Sequence, residues 1–356
     1  MHGRPLSILH VLIHKGYGGA GRYCLDLAQR QRDAGCRVGF VLRPSDPKAR
    51  VSIYDYLPAD VPRFMAWRPF ESFSIGGAAA RFKPDVLHAH VGWSARAVGA
   101  MRRRPPAVAT LHLGYKAKDC ARLDGVIRIA DWQSRDMADY RGRAETIPNW
   151  LPKQPAVLPA AVTALRRELG VGPKDILVGS VGRLHPVKGV DLLVKSFRQT
   201  APANARLVVL GDGPERAALE ALADGDPRVK LVGYVSEPAP WFRAFDLFAM
   251  PSRFEPFGIA ALEAMNAGAR IVAADTGGLG EVLRNTPAEL VPPDDEAALA
   301  SALTRFFEQR AAGGPARRIA YDMTRYQGED AVRRIDRFYR DVIARSAEPA
   351  DVARVA

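Results

Sequence analysis

Two glutamates stand eight residues apart in Pro251-Ser252-Arg253-Phe254-Glu255-Pro256-Phe257-Gly258-Ile259-Ala260-Ala261-Leu262-Glu263-Ala264-Met265. Eight residues are about 2.2 helical turns, so a helix that begins near Gly258 can turn both carboxylates to one side. Glu263 lies among apolar residues, where a carboxylate is costly unless hydrogen-bonded. Polyol hydroxyls are suitable partners; a solvated helix face is the plain alternative. The amides of Phe257, Gly258 and Ile259, at that helix start, can bind a phosphate. Upstream, Gly182-Arg183-Leu184-His185-Pro186-Val187-Lys188-Gly189 sets two cations five apart on a glycine-flanked loop after a strand. Such a pair can hold a diphosphate, although solvated loop cations are common.

Other candidates are weaker. Gly16-Tyr17-Gly18-Gly19-Ala20-Gly21 matches a dinucleotide fingerprint between a strand and a helix. Arg43 stands where an acidic ribose ligand should be. An arginine would suit a 2′-phosphate, so an NADP reading stays open, beside anion binding by the loop amides and a simple tight turn. Leu210-Gly211-Asp212-Gly213-Pro214 and Leu231-Val232-Gly233-Tyr234-Val235 fall at strand ends and read first as turns. Asp224-Gly225-Asp226 precedes a strand, so it reads as a polar turn rather than a metal site. Asp294-Asp295 reads as a helix cap. His112 follows a strand and is either a site residue or a hydrogen-bonded strand-end histidine; His88 and His90 read first as structural.

These residues need strands and helices to place them. Strand-like runs lie at Ser7–Ile13, Cys36–Leu42, Asp85–His90, Ala107–Leu111 and Gly125–Ile129, with a helical stretch over Ala20–Ala34. Four prolines between Pro148 and Pro159 suggest a linker. Strands resume at Ile176–Val181, Arg206–Leu210, Val229–Val232, Leu247–Met250 and Arg270–Ala274, and the end from Asp294 to about Arg345 reads as helical. Regular alternation predicts doubly wound parallel sheets in tandem, facing a cleft at their strand ends. The expected division is 1–150 with a returning C-terminal helix (about 326–356), and 151–325.

Composition limits the function classes. The 356 residues are 47% hydrophobic and 25% charged, ordinary for a globular protein of about two domains. Three cysteines without C-x-x-C spacing argue against a disulfide framework or structural zinc and fit a reducing compartment. No apolar run reaches a membrane span, and the N-terminus does not read as a signal peptide. The net charge of +12 lies wholly within residues 1–155. Arg102, Arg103 and Arg104, followed by Lys116, Lys118 and Arg122, are its densest part. A one-sided basic field draws anionic partners. Nucleic acid is not expected, because no aromatic platform or zinc-finger spacing accompanies the arginines.

The set Gly182-Arg183-Leu184 with Lys188-Gly189, Leu210-Gly211-Asp212-Gly213-Pro214, Glu255-Pro256-Phe257-Gly258 through Glu263-Ala264-Met265, and Gly277-Gly278 with Glu281 resembles glycosyltransferase family 4. The first half resembles it more loosely, through Gly18-Gly19, Asp85-Val86-Leu87-His88-Ala89-His90 and Thr110-Leu111-His112. The resemblance implies a GT-B fold and retaining transfer from a nucleoside-diphosphate sugar, with no metal and no other cofactor. It implies that Arg183 and Lys188 neutralise the diphosphate, Glu255 meets the donor sugar and Glu263 the ribose. Phe257, Gly258 and Ile259 would offer amides, and Tyr234 and Val235 would meet the base. His112 would lie near the donor sugar, and Gly18 and Gly19 beside the diphosphate. The catalytic set is then Glu255, His112, Arg183 and Lys188.

The basic first domain points to a lipid-linked, lipopolysaccharide or polysaccharide acceptor at the cytoplasmic membrane face, with peripheral contact to anionic lipid. A soluble acceptor, a catalytically silent nucleotide-sugar-binding subunit and a GT-B epimerase are the alternatives. The sequence names neither the sugar nor the base.

Overall fold

Two parallel sheets, each built from short apolar strands with helices between, account for most of the chain. The structure is a computed structural model and describes residues 4–14, 18–45, 52–313 and 318–347. The chain divides into two units, Met1–Pro152 with Tyr326–Ala356, and Lys153–Arg325. Residues Gly16 and Tyr17 of the first glycine loop lie outside the described residues.

In the first unit the elements are β1 (Ser7–Leu12), α1 (Gly19–Asp33), β2 (Arg37–Leu42), β3 (Arg63–Met65), α2 (Glu71–Phe82), β4 (Val86–His90), α3 (Gly92–Gly99), β5 (Ala107–Leu111), α4 (Ala117–Cys120), β6 (Gly125–Arg128) and β7 (Arg143–Thr146). The strand order is β3-β2-β1-β4-β5-β6-β7, all parallel. Strands β3 and β7 escape sequence reading, because Arg63-Phe64-Met65 and Arg143-Ala144-Glu145-Thr146 are short edge strands without an apolar run.

The second unit holds α5 (Pro159–Glu168), β8 (Ile176–Val181), α6 (Val190–Thr200), β9 (Ala205–Leu210), α7 (Arg216–Ala223), β10 (Val229–Gly233), α8 (Ala239–Ala244), β11 (Leu247–Met250), α9 (Ile259–Asn266), β12 (Arg270–Ala274), α10 (Gly277–Leu283), β13 (Glu289–Val291) and α11 (Glu296–Ala311). Its order is β10-β9-β8-β11-β12-β13, again parallel. The last helix, α12 (Gly328–Ala347), returns to the first unit. The expected continuous helix from Asp294 is therefore two helices, separated by non-helical residues and a short 3-10 turn at Thr324–Tyr326.

Both faces of the first sheet are covered. Leu9, Val11, Leu87, Ala89, Ala107 and Ala109 pack with α2 and α3 residues on one side. On the other, Ile335, Phe338, Tyr339 and Val342 of α12 close over Ile8, Val86, Val108 and Ile127. These α12 residues recur at helical spacing, so one stripe is buried while the arginines stay outside. Trp150, in the proline-rich stretch, is buried in the same core and donates its indole N–H to Asp26. The next amide, Leu151 N–H, reaches Tyr326 O at 3.0 Å, where the chain re-enters the unit.

The six expected surface cations do not share one edge of the sheet. Arg104 precedes β5 and Lys116 follows it. Arg104 is also spent internally, on the Asp124 carboxylate and, at 2.5 Å, on Arg122 O. Arg102, Arg103, Lys116, Lys118 and Arg122 are exposed.

Candidate active site

In each sheet the strand order reverses beside the central strand, and ligand crevices of open α/β sheets form at such points. In the second unit the reversal lies between β8 and β11. The loop after β8 carries Arg183 and Lys188; the loop after β11 carries Glu255, Phe257 and Gly258. Ile259 opens α9, and Glu263 lies within it.

Lys188 and Glu255 are brought together. Lys188 Nζ donates to Glu255 Oε2 at 2.5 Å, and both side chains are largely buried. An ammonium has three donors, so Lys188 can hold the carboxylate and still meet phosphate oxygens. Arg183 is different: its side chain is exposed and has no hydrogen-bond or ion-pair partner among the described residues. Glu263 is buried in α9 and accepts from Gln154 Nε2 at 3.1 Å. A side chain from the linker thus satisfies part of a carboxylate for which sequence alone suggested polyol hydroxyls.

The glycines in these loops allow close backbone contact. A Cβ on Gly189, which has φ +65°, would lie 2.1 Å from Pro251 O; one on Gly278 would lie 2.2 Å from Pro256 O. A side chain at Gly189 would force the Lys188 and Glu255 loops apart, and one at Gly278 would push α10 away from the Glu255 loop. The Gly278 amide also donates to Glu255 O at 3.0 Å. The other strand-end loops are linked in series. Leu184 N–H reaches Asp212 O at 3.0 Å, and Gly211 N–H reaches Gly233 O at 2.7 Å, just before Tyr234 and Val235. Tyr234 is exposed and Val235 half-buried.

Arg253 is a residue that the sequence did not single out. Its guanidinium bridges Asp191 at 2.7 and 2.8 Å, Asp294 at 2.7 Å and Pro186 O at 2.6 Å. Its backbone N–H reaches Val187 O at 2.9 Å. The hydrogen bond from Arg253 holds Asp191 below the usual carboxylate range. One arginine therefore fastens the Lys188 loop to the Glu255 loop. Its place inside the glutamate motif was the only available signal, since its partners lie 62 and 41 residues away. Asp295 caps α11 by accepting from Ala298 N–H at 2.8 Å. Asp224 and Asp226 are paired with arginines beside β10, as befits a polar turn.

In the first unit, Gly18 caps α1 and Gly19 begins it; a Cβ on either meets nothing within 4 Å. Among the described residues, no packing demands glycine at either position. His112 follows β5, half-buried, with Nε2 3.4 Å from His90 Nδ1 and its ring edge-on to Tyr23. Burial lowers its pKa to about 3, so it is neutral at pH 7. His88 and His90 are fully buried and hydrogen-bonded. Among the described residues, one group has metal-like spacing: His10, Cys24 and His90, with donor atoms within 4.8 Å of one another. Both His10 nitrogens and His90 Nε2 are already used, by Gln31 at 2.8 Å and by each other at 3.0 Å. An ion would have to break both bonds in a fully buried place. Burial also raises the Cys24 thiol well above its ordinary pKa.

Residues 17–178 match the description Glycosyltransferase Family 4, and residues 175–309 match Glycosyl transferases group 1. A D-inositol 3-phosphate glycosyltransferase of Acidothermus cellulolyticus is 30% identical over 308 residues, covering 73% of this chain and 68% of the relative. The lipopolysaccharide core biosynthesis mannosyltransferase LpsB of Rhizobium meliloti is 34% identical over 164 residues, 42% of this chain and 46% of the relative. Among solved structures, Anabaena HepE in complex with UDP and glucose aligns with a TM-score of 0.77 at 22% identity, covering 94% of this chain and all of that one. The chain belongs to glycosyltransferase family 4, enzymes of the GT-B fold that use nucleotide-sugar donors.

Proposed function

We propose that this glycosyltransferase acts with retention, at the cytoplasmic membrane face, on a lipid-linked, lipopolysaccharide or polysaccharide acceptor. Arg183 and Lys188 neutralise the diphosphate, aided by the amides of Phe257, Gly258 and Ile259 at the start of α9. Negative charge that develops on the leaving diphosphate is met by these fixed donors without a metal. Glu255, held by Lys188, meets the donor sugar's hydroxyls. Glu263 accepts from the ribose hydroxyls beside Gln154. Tyr234 and Val235 meet the base, Gly18 and Gly19 border the diphosphate, and His112 faces the donor sugar. Transfer proceeds by front-face displacement through an oxocarbenium-like state.

The observation that carries the acceptor reading is an aromatic surface on the first unit. Trp67 follows β3 and Trp93 follows β4; Phe70 and Phe73 flank the start of α2. Phe70 is 66% and Phe73 84% exposed. The Arg68 guanidinium lies over the Trp93 ring at 4.3 Å, and Arg63 is exposed nearby in sequence. Aromatic tips beside cations suit the boundary between lipid headgroups and acyl chains. The partial match to a lipopolysaccharide mannosyltransferase points the same way.

A soluble, phosphorylated acceptor is the second reading. It is favoured by the inositol phosphate glycosyltransferases, which align over more of the chain. The test is sedimentation with vesicles of anionic or neutral lipid, at low and high salt. Salt-sensitive binding to anionic vesicles, weakened by Phe70→Ser with Phe73→Ser, is expected. No binding to either vesicle type would favour the soluble acceptor. Thermal-shift screening against UDP-, GDP- and ADP-sugars would identify the base, because a ligand of the native state raises the melting temperature.

A further inference from the structure

The sheet face beneath α1 and α12 carries a line of polar side chains. Parallel pairing sets His10 beside His88 and His90 beside Thr110. Two-residue alternation then brings His112 to the same face, just beyond β5. His10, His88 and His90 are fully buried. Their nitrogens form one connected line with Tyr339 of α12 and Gln31 of α1.

Bond lengths give this line a direction. Tyr339 Oη lies 2.6 Å from His88 Nδ1, as an O–H donor does, while Gln31 Nε2 lies 3.1 Å from Tyr339 Oη, as an N–H donor does. The phenol therefore accepts from Gln31 and donates to His88. His88 Nε2–H donates onward to Thr110 Oγ1 at 2.8 Å. With its amide nitrogen on Tyr339, Gln31 turns Oε1 to His10 and accepts from Nε2–H at 2.8 Å. A neutral imidazole has one N–H. His10 Nδ1 must then accept from His90 Nε2–H at 3.0 Å, and His90 Nδ1 from His112 Nε2–H at 3.4 Å. Burial keeps all four rings neutral.

We propose that this seam is a polarised hydrogen-bond wire, oriented by the Tyr339 hydroxyl, that fixes His112 as its Nε2–H tautomer and leaves Nδ1 as a bare acceptor at the end of β5. The role given to that acceptor rests on the proposed function: it takes a hydrogen bond from a donor-sugar hydroxyl and is not an acid. Tyr339 and Gln31 are positioning residues. Reversing the Gln31 amide would reverse every donor between it and His112, turning His112 Nδ1 into a donor. Tyr339→Phe removes the oxygen that holds the amide and so frees that reversal.

The test is long-range nitrogen–proton NMR of protein labelled with 15N-histidine at neutral pH, where the two tautomers have distinct nitrogen shifts. The wild type should show His112 with Nε2 protonated. Tyr339→Phe should mix the two tautomers at His112. It should lower kcat/KM for the nucleotide sugar about twofold, since an even mixture leaves half of the molecules with the acceptor tautomer, and leave the Kd of free nucleoside diphosphate unchanged. Gln31→Leu cuts the wire at its middle and should release His112 in the same way, should the tyrosine variant not fold. A wild-type His112 protonated on Nδ1, or one whose tautomer ignores both variants in folded protein, would overturn the wire. The spectrum needs no substrate, so absence of transfer with every nucleotide sugar would remove the proposed function and leave this result standing.

Discussion

Acid should unfold the first unit early, and the buried histidines set the size of the effect. His10, His88 and His90 are shielded from solvent, and desolvation lowers all three pKa values, His10 to about 4. In the unfolded chain each takes up a proton near pH 6.5. Their stabilising contribution is therefore complete above pH 6.5 and is lost as pH falls toward the folded values. Integrating the proton difference from pH 7 to pH 5 gives about 2 kcal/mol for His10, and His88, His90 and His112, lowered in the same sense by burial, add to it. That compares with a whole-domain stability of about 5–15 kcal/mol. The carboxylates with lowered pKa, Asp85 in this unit and Asp191, Asp226 and Asp322 in the other, lose protection only below their ordinary value near 4, so the window from pH 6.5 to 5 isolates the histidines. The assay is urea unfolding at pH 7, 6 and 5, followed by tryptophan fluorescence. Four of the five tryptophans, Trp67, Trp93, Trp132 and Trp150, belong to this unit. His10→Asn should reduce the pH dependence by about 2 kcal/mol, whatever its own stability. A free energy that stays within about 1 kcal/mol from pH 7 to pH 5 would refute the reasoning.

Arg183→Ala should weaken nucleoside diphosphate binding by about ten- to a hundredfold, the worth of a charge-assisted contact, and leave the melting temperature unchanged because the side chain is exposed and has no partner among the described residues. Lys188→Ala should lose affinity to the same extent and also lower the melting temperature, because it strands the buried Glu255 carboxylate. Glu255→Gln should cut turnover at least tenfold yet raise the affinity for free diphosphate severalfold, since Lys188 loses its counter-charge; calorimetry and initial rates separate the two. Phe338→Ala should cost the first unit about 3–5 kcal/mol in urea unfolding, as a fully buried aromatic of α12.

Much of this architecture was legible because parallel strands are buried on both faces and read as apolar runs. Ile176–Val181 and Ala107–Leu111 begin and end as expected. Edge strands β3, β7 and β13 were not legible, because three or four residues with one polar side carry no such run. The glutamate motif showed where α9 starts, since Gly258 takes a left-handed φ of +94° and ends the loop. What the sequence could not show was pairing over distance. The bond from Lys188 to Glu255 spans 67 residues, and the one from Tyr339 to His88 spans 251. The histidines of Leu87-His88-Ala89-His90 alternate like a strand with one polar face, but the partner that makes that face tolerable, Tyr339, lies on the last helix.

The two sheets treat charge in opposite ways where their strand order reverses. Beside β8 and β11 a cation and a carboxylate are held at 2.5 Å, and Arg183, on the loop of the cation, has no partner among the described residues. Beside β1 and β4 the buried polar seam is built of uncharged side chains, and its histidines are kept neutral by burial. A departing diphosphate gathers negative charge, which fixed cations stabilise. A sugar centre that passes through an oxocarbenium-like state gathers positive charge. A protonated histidine about 5 Å from that centre would oppose it by about 3 kcal/mol at an effective dielectric of 20, about two decades in rate. In the proposed transfer a neutral His112 would avoid that penalty and still offer a lone pair to a donor-sugar hydroxyl. The seam from Tyr339 to His112 therefore has a physical reason to be both buried and uncharged: each ring is satisfied by a neutral partner, so none needs a proton to complete its hydrogen bonds.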